Sequence, residues 1–108
     1  MSYDLRLTVD RGGPVPTTVG PDYNYTSNCG DMFELAIGRR LLDLDGMPAV
    51  RAGKLLRAAV ERMRDQAEVF AALNPDNGWG DSLTAREWLE QIADSCVHHP
   101  QATVRVTA

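Results

Sequence analysis

Three groups of residues in this chain have the types to do chemistry or recognition. Cys29 precedes an apolar helical pattern, and His98-His99 lie at the far end of a later one. A thiol at a helix start can be held as the reactive thiolate, and a histidine in contact can take its proton. Such a pair needs its atoms within about 3 Å, and no spacing in the chain joins these residues. Asp43-Leu44-Asp45-Gly46 has the opening of a calcium loop without the remaining ligands. The two histidines are adjacent, not at the i, i+4 interval that sets two imidazoles on one helix face for zinc. The expectation is therefore no metal, no cofactor and no enzymatic centre.

The third group carries no acid-base centre. Tyr23-Asn24-Tyr25-Thr26-Ser27-Asn28 and Asn74-Pro75-Asp76-Asn77-Gly78-Trp79-Gly80-Asp81 concentrate carboxamides, hydroxyls and aromatic rings. Such groups recognise amides, bases and sugars without carrying charge. Gly78 and Gly80 would let backbone approach a bound group, and Trp79 has the shape of a binding anchor. Both stretches also have an architectural explanation. Asn77-Gly78 is a turn signal, and Trp79 can plug a helix-helix corner. Burying its ring there is worth roughly 4–6 kcal/mol at about 25 cal/mol per Å². The Tyr23–Asn28 stretch can satisfy its own backbone and cap a helix. The two stretches make a site only if they are neighbours. In that case Asn24, Tyr25, Asn28, Asn77, Trp79 and Asp81 converge on one polar cleft.

The elements that must position these residues follow from periodicity. Tyr3, Leu5, Leu7 and Val9 alternate with Asp4, Arg6, Thr8 and Asp10, which predicts a half-buried strand. Arg11-Gly12-Gly13-Pro14 turns the chain, and Val15 to Val19 returns as a short edge strand blunted by proline. Gly20-Pro21 ends that strand, and an extended loop leads to Asn28 as a helix cap, with Asp31 in the first turn. The first helix is expected from Cys29 to about Asp43, carrying Met32, Phe33, Ala36, Ile37, Leu41 and Leu44. The second has the longest stripe: Ala49, Ala52, Leu56, Val60, Met63, Ala67 and Phe70. Gly53 weakens it by roughly 0.8–1 kcal/mol relative to alanine. Asp65-Gln66-Ala67-Glu68 resembles a capping box and predicts a break near Arg64. Asn74-Pro75 terminates the run. The third helix starts at Asp81 or Ser82, buries Ala85, Leu89, Ile92 and Cys96 with Trp88 beside them, and stops at Pro100. Gln101 to Thr107 alternates as a closing strand.

The order ββαααβ predicts one α+β domain over residues 1–108, a small antiparallel sheet packed on three helices, with first and last strands paired. Apolar residues make up 44% and charged residues 24% of the 108, which suits a folded domain. A net charge of −4 argues against a nucleic-acid partner, which needs clustered positive charge. Arg51, Lys54, Arg57, Arg62 and Arg64 make the second helix locally basic, read as a solvated face first and a partner surface second. Two cysteines are too few for a disulfide scaffold. No apolar run reaches the roughly 18 residues of a membrane span. Met1-Ser2-Tyr3-Asp4-Leu5-Arg6 lacks a leader pattern, so the expected location is the cytoplasm.

The chain resembles a family of small uncharacterised proteins of actinobacterial phages and actinobacterial genomes. Asn24-Tyr25-Thr26-Ser27-Asn28, Ala72-Leu73-Asn74-Pro75, Asn77-Gly78-Trp79-Gly80-Asp81 and Ala102-Thr103-Val104-Arg105-Val106 carry the resemblance. It implies no activity; it implies a small accessory protein of phage or prophage type. The expected function is non-enzymatic binding of a protein partner or of a second copy. The alternative is a small ligand, such as a nucleotide-like molecule, held in the Asn/Tyr/Trp cleft.

Overall fold

The computed structural model describes residues 1–108. Strand β1 (Ser2–Val9) leads into β2 (Thr17–Thr26), then a 3-10 turn (Ser27–Cys29) and helix α1 (Gly30–Ile37). A second 3-10 turn (Leu41–Leu44) precedes α2 (Ala49–Asp65), the short α3 (Ala67–Ala71), α4 (Ser82–His98) and β3 (Thr103–Thr107). The three strands form one antiparallel sheet in the order β2-β1-β3. The architecture is α+β, with β1 paired to the closing strand as its alternation predicts. The extra helix α3 is the tail of the second predicted helix beyond its expected break. The break falls at Gln66, outside helical geometry at φ −118° and ψ 42°.

One face of the sheet supplies Leu5, Leu7, Tyr23, Val104 and Val106 to the core. The helical stripes supply the rest, including Phe33, Leu56, Phe70, Leu89 and Ile92. Among the expected stripe residues only Ala67 stays exposed. Gly53, a liability to α2 taken alone, has a packing reason. A Cβ added there would sit 3.0 Å from Cys96 Cβ, so its absence lets α2 and α4 approach closely.

Three boundaries differ from expectation. The strand read as Val15 to Val19 runs instead from Thr17 to Thr26, because Gly20-Pro21 is absorbed rather than ending it. Leu5 pairs with Tyr23 and Leu7 with Val19, so Arg6 faces Gly20, Pro21 and Asp22 as a bulge. Beyond the bulge Tyr23 and Tyr25 resume the inward alternation. The first helix stops at Ile37, not Asp43, because Gly38 takes the left-handed conformation at φ 84° and bonds back to the Glu34 carbonyl. Leu41 and Leu44 are nevertheless buried, carried by the 3-10 turn. Asn28 is not the cap; the Thr26 hydroxyl accepts from the Asn28 N–H at 3.3 Å.

The two sheet edges are treated differently. The outer edge of β3 is covered by Asp45–Pro48. Gly46 N–H donates to the Val104 carbonyl (2.8 Å), Val104 N–H to Met47 O (2.8 Å) and Val106 N–H to Asp45 Oδ1 (3.0 Å). On the other side β2 is the terminal strand of the sheet. No helix is long and apolar enough to cross a membrane.

Candidate functional site

The end of β2 and the turn before α4 meet at Gly80. Gly80 has φ +91°, and an added Cβ would lie 2.7 Å from Thr26 Cγ2, 2.9 Å from Cys29 Sγ and 3.2 Å from the Tyr25 hydroxyl. Only a glycine fits that seat. Next to it the Tyr25 hydroxyl accepts from the Asp81 N–H (3.1 Å) and meets Thr84 Oγ1 at 2.6 Å. Asp81 Oδ1 caps α4 by accepting from the Thr84 N–H at 2.8 Å. Upstream, Asn74 Oδ1 accepts from Ser82 N–H (2.8 Å), and Asn77 Oδ1 accepts from Trp79 N–H (3.0 Å). The Asn74–Asp81 turn is therefore tied at both ends and bent on itself at Trp79.

The same geometry brings the two recognition stretches together. A groove of about 540 Å³ lies between them, lined among others by Ser2, Asn24, Tyr25, Asn28, Asn77 and Trp79. Five of the six residues expected to converge line it. Asp81 does not; its carboxylate is spent as the cap. Tyr25 is shared, because its ring enters the aromatic core beside Phe33 (5.7 Å between centroids) and Trp88 (5.4 Å). Trp79 is 67% exposed and plugs nothing, whereas Trp88 is 7% exposed and fills the corner core. The architectural explanation offered for Trp79 belongs to Trp88.

The hydrogen bonds already made decide what the groove offers. Asn24 Nδ2 lies within bonding distance of Ser2 Oγ (3.0 Å), the Tyr3 carbonyl (3.1 Å) and Asp4 Oδ1 (2.9 Å), so its remaining capacity is the acceptor Oδ1. Asn77 has used its oxygen on Trp79 N–H and keeps its two N–H donors. The Asn28 carboxamide makes no bond within the chain and keeps both functions. A floor of one acceptor, one donor and one of each, beside an exposed indole, matches amide groups and brings no charged side chain. Ser2 and Met1 also line the groove and were not found from the sequence. The signal was the register: Ser2 pairs with Thr26 and Asp4 with Asn24 once β2 is extended past its bulge.

The remaining candidates separate. Cys29 lies against Gly80 at the start of α4, while His98 and His99 stand at its other end. Seventeen helical residues span roughly 25 Å at 1.5 Å each. His98 Nδ1 bonds the Asp94 carbonyl (2.8 Å), and the His99 ring lies beside Gly20. No nucleophile-base pair forms. Burial also raises the Cys29 thiol above its ordinary value; a hydrogen bond from Tyr25 opposes this and the Asp81 charge adds to it. Burial likewise raises the Tyr25 phenol, against the hydrogen bonds to Thr84 and Asp81. Asp43 pairs with Arg40 at 3.0 Å and Asp45 with the β3 edge. On the basic face of α2, Arg57 bonds Asp94 (2.8 Å), Arg64 bonds Glu90 (3.0 Å) and Arg62 donates to the Ala36 carbonyl. Much of that face is thus engaged within the molecule.

No protein-family model, curated protein or solved structure matches this chain.

Proposed function

We propose that the chain is a non-enzymatic binding protein of the cytoplasm, acting through contacts with a protein partner, with the Trp79 groove as its recognition surface. The observation that carries this is an indole 67% exposed on a turn held by bonds at both ends. Aromatic anchors supply much of the energy of protein interfaces. An anchor whose backbone is already fixed loses less conformational freedom when covered. Its neighbours Asn24, Asn28 and Asn77 are neutral and cost less to desolvate than charges would. Burial raises the thiol and phenol closest to the turn above their ordinary values, away from the neutral range where acid-base catalysis works best. An accessory role in a phage or prophage rests on the sequence motifs alone.

A second reading is favoured by size. At about 540 Å³ the groove falls within the roughly 300–1,000 Å³ of small-molecule sites. Carboxamides beside an indole suit a nucleotide-like base.

One experiment separates them. Tagged wild-type protein, Trp79→Ala and Asn77→Ala are incubated with lysate of cells that carry the gene. A stoichiometric protein held by wild type and released by both folded variants supports the partner reading. Equal capture by all three removes the groove from it. A small molecule retained by wild type alone in native mass spectrometry, with no protein captured, moves the assignment to the second reading.

A further inference from the structure

Asn28 borders more than the Trp79 groove. That residue also lines a second cavity of about 320 Å³, bordered by Tyr3, Asp31, Glu34, Arg40 and Leu42 among others. The two cavities share Asn28 as a common wall. Their chemistry differs. No charged side chain lines the first, while Asp31 and Glu34 stand three residues apart on one face of α1 in the second. Neither carboxylate is in an ion pair. Arg40, the cation of that cavity, is already bound to Asp43 at 3.0 Å. Burial first, and then the Asp31 charge, raises the Tyr3 phenol above its ordinary value, with Glu34 adding in the same direction. The second cavity thus lacks a free positive charge and holds two free negative ones.

The sheet edge adds a backbone feature to the first cavity. The Ser27 N–H donates to the Met1 carbonyl at 3.2 Å, which sets the phase of the β1-β2 ladder. Tyr3–Tyr25 and Leu5–Tyr23 are then the pairs that exchange hydrogen bonds. The N–H and C=O groups of Asn24 and Thr26 point to the open side of β2. Both residues line the first cavity. An extended peptide has the complementary backbone donors and acceptors, and it is long enough to continue past Asn28.

On the premise that the Trp79 groove binds a protein partner, we infer that the bound element is an extended peptide segment carrying a basic side chain. Its backbone amides lie along Asn24, Thr26 and the carboxamides of Asn28 and Asn77. An uncharged part of the segment covers Trp79. The lysine or arginine lies beyond Asn28, between Asp31 and Glu34.

The test uses the full chain and a yeast-displayed library of random linear peptides. The expected pool is enriched in a single Arg or Lys at a constant distance from the positions that need Trp79. Synthetic, fluorescein-labelled members of that pool should bind about two- to fivefold more weakly to Asp31→Asn and to Glu34→Gln, the range an exposed ion pair supplies. The loss should shrink at high salt. Circular dichroism checks that both variants fold, which their exposed positions predict. A pool that depends on Trp79 but shows no basic enrichment, or binds the carboxamide variants equally, overturns the inference and leaves the groove assignment standing. A pool indifferent to Trp79→Ala, or no enriched pool at all, overturns both.

Discussion

Replacing Gly80 by alanine tests the seat on which the groove is built. The added methyl meets two obstacles. At φ +91° an L side chain is strained by about 1–2 kcal/mol. Its Cβ would also lie 2.7 Å from Thr26 Cγ2 and 2.9 Å from Cys29 Sγ, both closer than carbon contacts allow. Relieving such overpacking costs about 1–3 kcal/mol. Together these cost about 2–5 kcal/mol before any effect on the unfolded chain, a large part of the roughly 5–15 kcal/mol available to a domain. Gly78 is the internal control. It has φ +76° and nothing within 4 Å of an added Cβ, so Gly78→Ala meets only the strain. Alanine also restricts the unfolded chain, which returns about 0.4–1 kcal/mol at either position. The difference between the two variants therefore isolates the clash, at about 1–3 kcal/mol. Urea unfolding followed by circular dichroism measures it, with an unchanged m-value confirming that the folded states are comparable. Equal midpoints for the two variants would refute the reasoning, because they would mean the turn does not press on Thr26 and Cys29. A displaced turn should also weaken partner capture by Gly80→Ala under conditions where it remains folded.

Other expectations follow from the same contacts. Trp79→Ala should leave the unfolding midpoint within about 0.5 kcal/mol of wild type, as exposed positions do, whereas Trp88→Ala should cost about 3–5 kcal/mol; thermal and urea melts of both check the assignment of roles. Tyr25→Phe strips the Asp81 N–H of its acceptor and should cost about 1–3 kcal/mol in the same melts. Burial raises the Cys96 thiol from 9.0 to about 11, so its contribution is fully present below pH 9.0 and is lost as pH rises through about 11. That loss is on the order of 3 kcal/mol. Cys96→Ala should flatten this part of a stability-pH profile, leaving the smaller alkaline declines of Tyr3, Tyr25 and Cys29, whose values are also raised.

The sequence was most readable where one periodicity ran without interruption. The stripe on α4 and the alternation of β1 predict most of the burial, because a helix or strand with one apolar face has one way to hide it; Thr8, on the polar face of β1, is buried all the same. It was least readable at glycines that do opposite things. Gly38 stops a helix whose apolar stripe continues, so the pattern overran the element. Gly20 sits in a bulge and does not stop its strand, so the strand was cut short. The cleft, with five of its six expected residues, was accessible as a conjunction of two stretches, but not as a fact of the fold. Its adjacency depends on the β1-β2 register and on the Gly80 contact, and both are long-range. The fate of Trp79 turned on a choice between two tryptophans nine positions apart in sequence, one on an apolar stripe and one on a turn.

That choice bears on what the turn is for. A connection between α3 and α4 requires a chain reversal and a cap, and Asn74, Gly80 and Asp81 provide both through one carboxamide oxygen, one close backbone approach and one carboxylate. None of these ties uses the Trp79 ring or the Asn77 amide nitrogen. The ring could have been buried for roughly 4–6 kcal/mol of hydrophobic stabilisation, yet the fold assigns the core position to Trp88 and leaves Trp79 in water. A turn built only as a corner has no need of an exposed indole or of a free carboxamide donor beside it. The architectural constraints are satisfied by one set of residues in this turn, and the side chains facing the groove are the ones left over. Exchanging Asn77 for aspartate sharpens the distinction. The carboxylate can still accept from the Trp79 N–H and keep the bend, so stability should change by no more than about 0.5 kcal/mol. The two donors disappear and a charge takes their place at the groove floor, so capture of the partner should fall at least as far as with Asn77→Ala. If Asn77→Asp binds as well as wild type, the donor is not used and the groove does not read amides.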